Sequence, residues 1–161
     1  DYDTSEDAFH PETGNPSLFE WKRRNIENYL LVPEAWKRAA ATLLKLPEDD
    51  LLLEPVRKIV DEFFANENLT LARGQTWRNV SANIFQVVDG KKLLFEEKHS
   101  LFAKLRSGDP AVDVLREIVA GRMHGDEVHE DVHDFFQRLG KTVASFPVPK
   151  PDEIAAMVAK E

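Results

Sequence analysis

The chain contains no cysteine. Disulfides, thiolate zinc sites and cysteine nucleophiles are therefore excluded together. No uncharged run approaches the roughly 18 residues of a membrane-spanning helix, so a membrane is not among the expected partners. Residues 1–20 hold six acids and no lysine or arginine. A signal peptide starts basic and then turns apolar, so this stretch does not read as one. A cytoplasmic protein is the simplest expectation. No G-x-x-x-x-G-K-[S/T] run occurs, so no phosphate-cradling loop of that kind is encoded here.

What is present suits one sizeable core, or one domain with an appendage: 161 residues, 42% of them hydrophobic and 31% charged. The net charge is −8. A chain that grips nucleic acid across a broad face would normally be basic. Any nucleic-acid contact must then be local or shared with other segments. The start at Asp1-Tyr2-Asp3, without an initiator methionine, reads as part of something longer.

Residues 1–17 are rich in turn formers and read mostly as loop. "LFEWKRR", residues 18–24, is the best candidate for a short strand, and Asn25 for the cap of a following helix. From Pro33 onward the pattern is helical. Pro33 is tolerated in a first turn, and Pro47 breaks the Ala- and Leu-rich run behind it. From Pro55, apolar Val56, Ile59, Val60, Phe63 and Phe64 recur at helical spacing. Residues 66–88 are ambiguous, and Asp89-Gly90 marks a turn. "KKLLFEEKHSLFAKLR" is helical by composition. Asp109-Pro110 starts the next helix, with Leu115, Ile118, Val119 and Met123 on its buried side. Asp126 is expected to cap a helix ending at Gly140. "FPVPKP" is a stiff linker before a short terminal helix.

His129-Glu130-Asp131-Val132-His133 matches H-E-x-x-H, which in zinc peptidases supplies two ligands and a general base. Two histidines one helical turn apart can share a zinc ion. The surroundings favour another reading. Asp131 and Asp134 put charge where a peptidase cleft is usually uncharged, and no third histidine follows at the extended spacing. An amphipathic helix with histidines on the shoulder of the stripe Val128, Val132, Phe135, Phe136 and Leu139 is preferred, with a zinc hydrolase as the lesser alternative.

Asp1 and Asp3 carry a different chemistry. At strand spacing their carboxylates point the same way, roughly 7 Å apart. Hard cations such as Mg2+ take oxygen ligands and accept water elsewhere. Solvated loop acids are the competing reading. Downstream, "WKRRNIENYLLVPEAW" resembles, with this D-x-D, the second half of the TOPRIM nuclease domain of the overcoming-lysogenization-defect (OLD) family. The likeness lies in Arg24, Ile26, Glu27, Asn28, Tyr29, Leu30, Leu31 and Pro33, with Asn25 where a glutamate is common. "FQVVDGKKLL" is similar to that family's G-K segment, and "VAGRMHGDEVHEDVHDFFQRL" to the helical tail of such ATPases.

The capped, periodic segments from Pro33 onward predict a mainly α fold, a helical domain, to which the resemblance adds a short remnant of an α/β TOPRIM fold at the N-terminus. The implied divisions are 1–32 for part of a metal site, 33–146 for the helical domain, and 147–161 for the linker and terminal helix. It implies the C-terminal part of an ATP-dependent DNA endonuclease. Asp1, Asp3 and Glu27 would ligate Mg2+ or Mn2+ in the intact parent, and Lys91 would bring positive charge to the phosphate. Lys22, Arg23 and Arg24 would meet the DNA backbone. ATP would be bound by a parent domain not present here. The implied partners are DNA and that N-terminal ATPase domain, and a homo-oligomer is compatible. The upstream glutamate of TOPRIM sites is not in the chain. Glu27 reads equally as a helix N-terminal acid favoured by the dipole. Lys91 also reads as a solvated helix start, and the three bases as charges discouraging edge aggregation. A non-catalytic helical scaffold or partner-binding module of an ATPase is the alternative function.

Overall fold

The computed structural model describes Phe19 and residues 21–96, 98–105 and 112–145, without the side chains of 112–114 and 142–145. Asp1, Asp3, the Asp109-Pro110 boundary and the 147–161 segment lie outside the described residues. The chain forms two compact units, residues 1–131 and 132–161.

The described residues of the first unit are helical and loop, with no strand among them. A short 3₁₀ turn, Ile26–Leu30, leads into α1, Pro33–Leu44. Then come a second 3₁₀ turn, Leu51–Leu53, and α2, Glu54–Asn66. After a loop, α3 (Asn83–Val87) is followed by one π-helical turn (Lys92–Glu96), α4 (Leu101–Leu105) and α5 (Val112–Gly121). Helix α6, Glu130–Ser145, begins at the end of this unit, and its residues from Val132 onward are the described part of the second. No helix among the described residues is long and apolar enough to cross a membrane.

Helix α1 packs against both α2 and α5. Its inward side alternates small and large: Ala35 and Ala39 are fully buried beside Trp36. The alanines let neighbouring helices come close, while the indole fills the space between. Val60, Phe63 and Phe64 of α2 and Leu115 and Val119 of α5 complete the packing, as their spacing predicts. Trp36 also donates from Nε1 to the Leu30 carbonyl at 2.8 Å, tying α1 to the 3₁₀ turn.

Several local expectations fail. Residues 22–25 bend rather than form a strand. Their amides are satisfied elsewhere: Lys22 N–H reaches the Asp131 carboxylate at 3.4 Å, and Arg24 N–H the Gln86 carbonyl at 2.9 Å. With those partners no paired strand is required. Asn25 does precede the helical turn, but its side chain makes no capping bond. The segment expected as one helix from Lys91 is divided, because Ser100 starts α4 anew by accepting the Ala103 N–H at 3.2 Å. The last helix starts after His129 rather than Asp126 and continues past Gly140. In the second unit, Phe136 of the expected buried stripe is 62% exposed.

Helix α1 ends on Lys45 in the left-handed region, at φ 56°, with its N–H on Thr42 O at 3.2 Å and the Leu46 N–H on Ala41 O at 3.0 Å. This is the place where glycine removes a steric cost. Lys45→Gly is expected to stabilise the protein by up to about 1 kcal/mol, seen as a higher urea midpoint at unchanged m-value.

Candidate functional site

Two segments far apart in sequence are joined through one buried amide. Asn28, fully buried in the first 3₁₀ turn, donates from Nδ2 to the carbonyls of Phe85 at 3.0 Å and Val88 at 2.8 Å. Its Oδ1 accepts the Gly90 N–H at 2.9 Å. An amide alone among short side chains offers two donors and an acceptor together. Gly90 is needed for the approach: a Cβ there would lie 2.3 Å from Asn28 Oδ1 and 2.9 Å from its backbone N. Asn25 Nδ2 donates to Asp89 Oδ1 at 3.2 Å, and Arg24 Nη2 lies 3.5 Å from Asp89 Oδ2. The "RRNIENYLL" and "FQVVDGKKLL" segments thus form one joint.

A charged cluster lies beside that joint. Glu27 is buried, and Arg116 of α5 places Nη2 3.0 Å from its Oε1. The Arg116 guanidinium also sits 4.8 Å over the Phe95 ring, a cation–π arrangement. Lys91 Nζ pairs with Glu96 at 2.9 Å. The hydrogen bond to Glu96 raises the Lys91 pKa, with a further contribution from the charge of Glu27 and an opposing one from Arg116. Glu27 with Arg116 and Lys91 with Glu96 form two ion pairs, and Arg116 lies over Phe95, the residue next to Glu96. Arg116 and Glu96 were invisible in the sequence, since nothing in their spacing points to Glu27. Glu27 contributes a carboxylate suited to a hard cation, which needs several oxygens. No group of three metal-ligating side chains occurs among the described residues. Asp1 and Asp3, the other expected ligands, lie outside them.

The three consecutive bases are not equivalent. Arg23 is only 4% exposed. It donates from Nη1 to the Asn28 carbonyl at 2.5 Å and stacks over Tyr29, 4.8 Å from the ring centre. Burial pulls its pKa down to about 10, which leaves it charged at neutral pH. Lys22 is solvent-facing but holds Asp131 at 2.9 Å and Glu130 at 3.4 Å. Arg24 faces Asp89. Arg23 is thus a structural cation here, out of reach of a phosphate, and only Lys22 and Arg24 retain surface.

The H-E-x-x-H segment has a structural use for its first histidine. His129 is buried rather than on a helix shoulder. Its Nδ1 accepts the Asp131 N–H at 3.2 Å, capping the first turn of α6. Its Nε2 lies 3.2 Å from the Val80 carbonyl, which fixes the neutral tautomer with the proton on Nε2. Both ring nitrogens are engaged, so neither is available to a zinc ion. The adjoining Asp131 carboxylate accepts the Tyr29 hydroxyl at 2.7 Å as well as the Lys22 ammonium.

Burial, reinforced by the Arg23 charge, lowers the His129 pKa below its ordinary 6.5. For Asp131, burial raises the pKa, but the hydrogen bonds from Lys22 and Tyr29 outweigh it and hold the group below the ordinary 3.8. Both folded values lie below the unfolded ones, so the unfolded chain binds more protons between them, and stability falls with falling pH. Stability should decline from about pH 6.5 downward through His129, and again near pH 4 and below through Asp131. His129→Asn keeps a capping oxygen without a titrating ring, so urea titrations of this variant should show a flatter profile between about pH 5 and 7. A profile as steep as the wild type's would remove His129 as the source.

At the joint, Asn28→Ala removes three hydrogen bonds, leaving the Val88 carbonyl and the Gly90 N–H only their contact with each other. A loss of about 2–4 kcal/mol is expected in chemical denaturation. Gly90→Ala meets Asn28 sterically and should lose a similar amount. A double variant should lose less than the sum, since both changes act on one contact. Compared with known proteins, the chain matches no family model, no curated protein and no solved structure.

Proposed function

We propose that this chain is the C-terminal region of an ATP-dependent, divalent-metal-dependent DNA endonuclease of TOPRIM type, acting in the cytoplasm. Residues 1–32 would be the remnant of the α/β TOPRIM fold that carries half the metal site, followed by the helical domain. The observation that carries this reading is the joint. The two segments that resemble the nuclease family, separate in sequence, dock on one another through Asn28 and Gly90, and Glu27 and Lys91 are the chain neighbours of these two contact residues.

Asp1, Asp3 and Glu27 would hold Mg2+ or Mn2+, which supply an activated water and stabilise the leaving oxygen of a phosphodiester. The chain's own contribution is electrostatic and positional. Arg116 holds the Glu27 carboxylate in place, and Lys91 presents its ammonium to the scissile phosphate in exchange for Glu96. Lys22 and Arg24 would contact the DNA backbone. ATP and its hydrolysis belong to the parent's N-terminal domain.

One observation favours a second reading, a non-catalytic scaffold or partner-binding module of such an ATPase. Glu27 already has a cationic partner in Arg116, and Arg23 lies in the interior. An acid so neutralised needs no metal.

The two readings separate in the full-length parent. Glu27→Gln and Asp1→Ala should abolish metal-dependent nicking of plasmid DNA while ATP hydrolysis continues. Lys91→Ala should slow cleavage by about 10²–10³-fold without loss of metal binding. Undiminished nicking in the Glu27 and Asp1 variants would discard the nuclease reading in favour of the scaffold.

A further inference from the structure

The corner between α1 and α2, residues 43–54, is built to hold leucines in water. The Asp50 N–H closes a turn onto the Pro47 carbonyl at 3.1 Å, and the Leu53 N–H returns to the Asp50 carbonyl at 3.1 Å. Asp50 Oδ1 accepts the Leu52 N–H at 2.8 Å. Arg57 of α2 donates to the Glu48 carbonyl. Leu53 is buried as the anchor, whereas Leu51 and Leu52 stand 84% and 71% exposed. Leu43 and Leu44, at the end of α1, are exposed as well. Half of the exposed large apolar side chains among the described residues thus belong to this one corner. A loop that merely connects two helices has no need to fix two leucines outward, and apolar groups held this way mark recognition surfaces.

The rim identifies the occupant. Glu48, Asp49 and Glu54 are exposed around the leucines; of the nearby cations, Arg57 is engaged by Glu54 and the Glu48 carbonyl, Lys58 pairs with Glu62, and Lys45 is exposed. Glu48 and Asp49 have no ion pair among the described residues. A second copy docking through the same patch would set these acids against each other. Nucleic acid and anionic lipid would be repelled for the same reason. A basic segment with an apolar face satisfies both halves of the surface.

We propose that this corner docks a basic amphipathic helix of a protein partner, with Leu51 and Leu52 as the apolar anchors and Glu48 and Asp49 as the steering charges. The first cost of binding is already lowered, because the turn is ordered by its own hydrogen bonds before the partner arrives.

The test uses a short synthetic amphipathic helix of lysine and leucine, a charge-inverted one of glutamate and leucine, and the isotope-labelled chain observed by NMR. The Lys/Leu peptide should give saturable shifts concentrated at residues 43–57, weakening with added salt, and the Glu/Leu peptide none. Leu51→Ser with Leu52→Ser should weaken binding about tenfold at an unchanged melting temperature, since both side chains are solvent-exposed. Glu48→Lys with Asp49→Lys should weaken the Lys/Leu peptide similarly and admit the Glu/Leu peptide. Shifts spread over the acidic surface without saturation would overturn the proposal. So would unchanged affinity in either double variant, self-association through this corner, or preferential binding to phosphatidylserine vesicles.

Discussion

The side chain of Asn28 is the constraint on which this structure turns. It is fully buried, and each of its hydrogen-bonding partners is a backbone group of the 85–90 segment. Buried carbonyls and amides in a turn need partners, and here the backbone supplies only the Gly90 N–H to Val88 carbonyl contact at 3.1 Å. The Asn28 amide adds the remaining bonds, and in doing so sets the position of the 3₁₀ turn against Asp89-Gly90. The placement of Glu27 and Lys91 follows from that setting, because they are the neighbours of Asn28 and Gly90 in sequence.

Charge is handled inside the fold in the same pairwise way. Taking Arg23 and Asp131 out of water is costly unless each is compensated. Arg23 has a carbonyl and two aromatic faces, and Asp131 has a phenol and an ammonium. The start of α6 depends on this arrangement, since His129 caps it with one nitrogen and anchors to Val80 with the other. On α1, Arg38 acts comparably. It donates to the Arg122 carbonyl at 2.7 Å and pairs with Glu127, which in turn accepts the His124 N–H at 2.8 Å. The loop between α5 and α6 is thus shaped by charged hydrogen bonds together with the packing of Met123 against the core.

Much of the helical organisation was legible in residue order. Pro33, the Ala-rich run and the break at Pro47 delimit α1. The 3.6-residue period identified the inward faces of α2 and α5. These features are local: each depends on sterics and on side chains one turn apart. The strand expected at 18–24 does not form over its described residues, for a nonlocal reason. Its composition suits a strand, but a strand needs a neighbour to pair with, and the amides of Lys22 and Arg24 found a carboxylate and a loop carbonyl instead. H-E-x-x-H failed as a guide for a similar reason, because its meaning depends on where the His129 nitrogens point.

What residue order alone determined was the start of α1, the helices α2 and α5 with their buried faces, and the acidic character of the chain. Those follow from backbone propensity, side-chain size and charge count. Tertiary structure decided which charges meet. Arg116 reaches Glu27, Lys91 takes Glu96, and Arg23 turns inward. Coulomb and hydrogen-bond energies depend on separation in space, and distance along the chain carries almost no information about it.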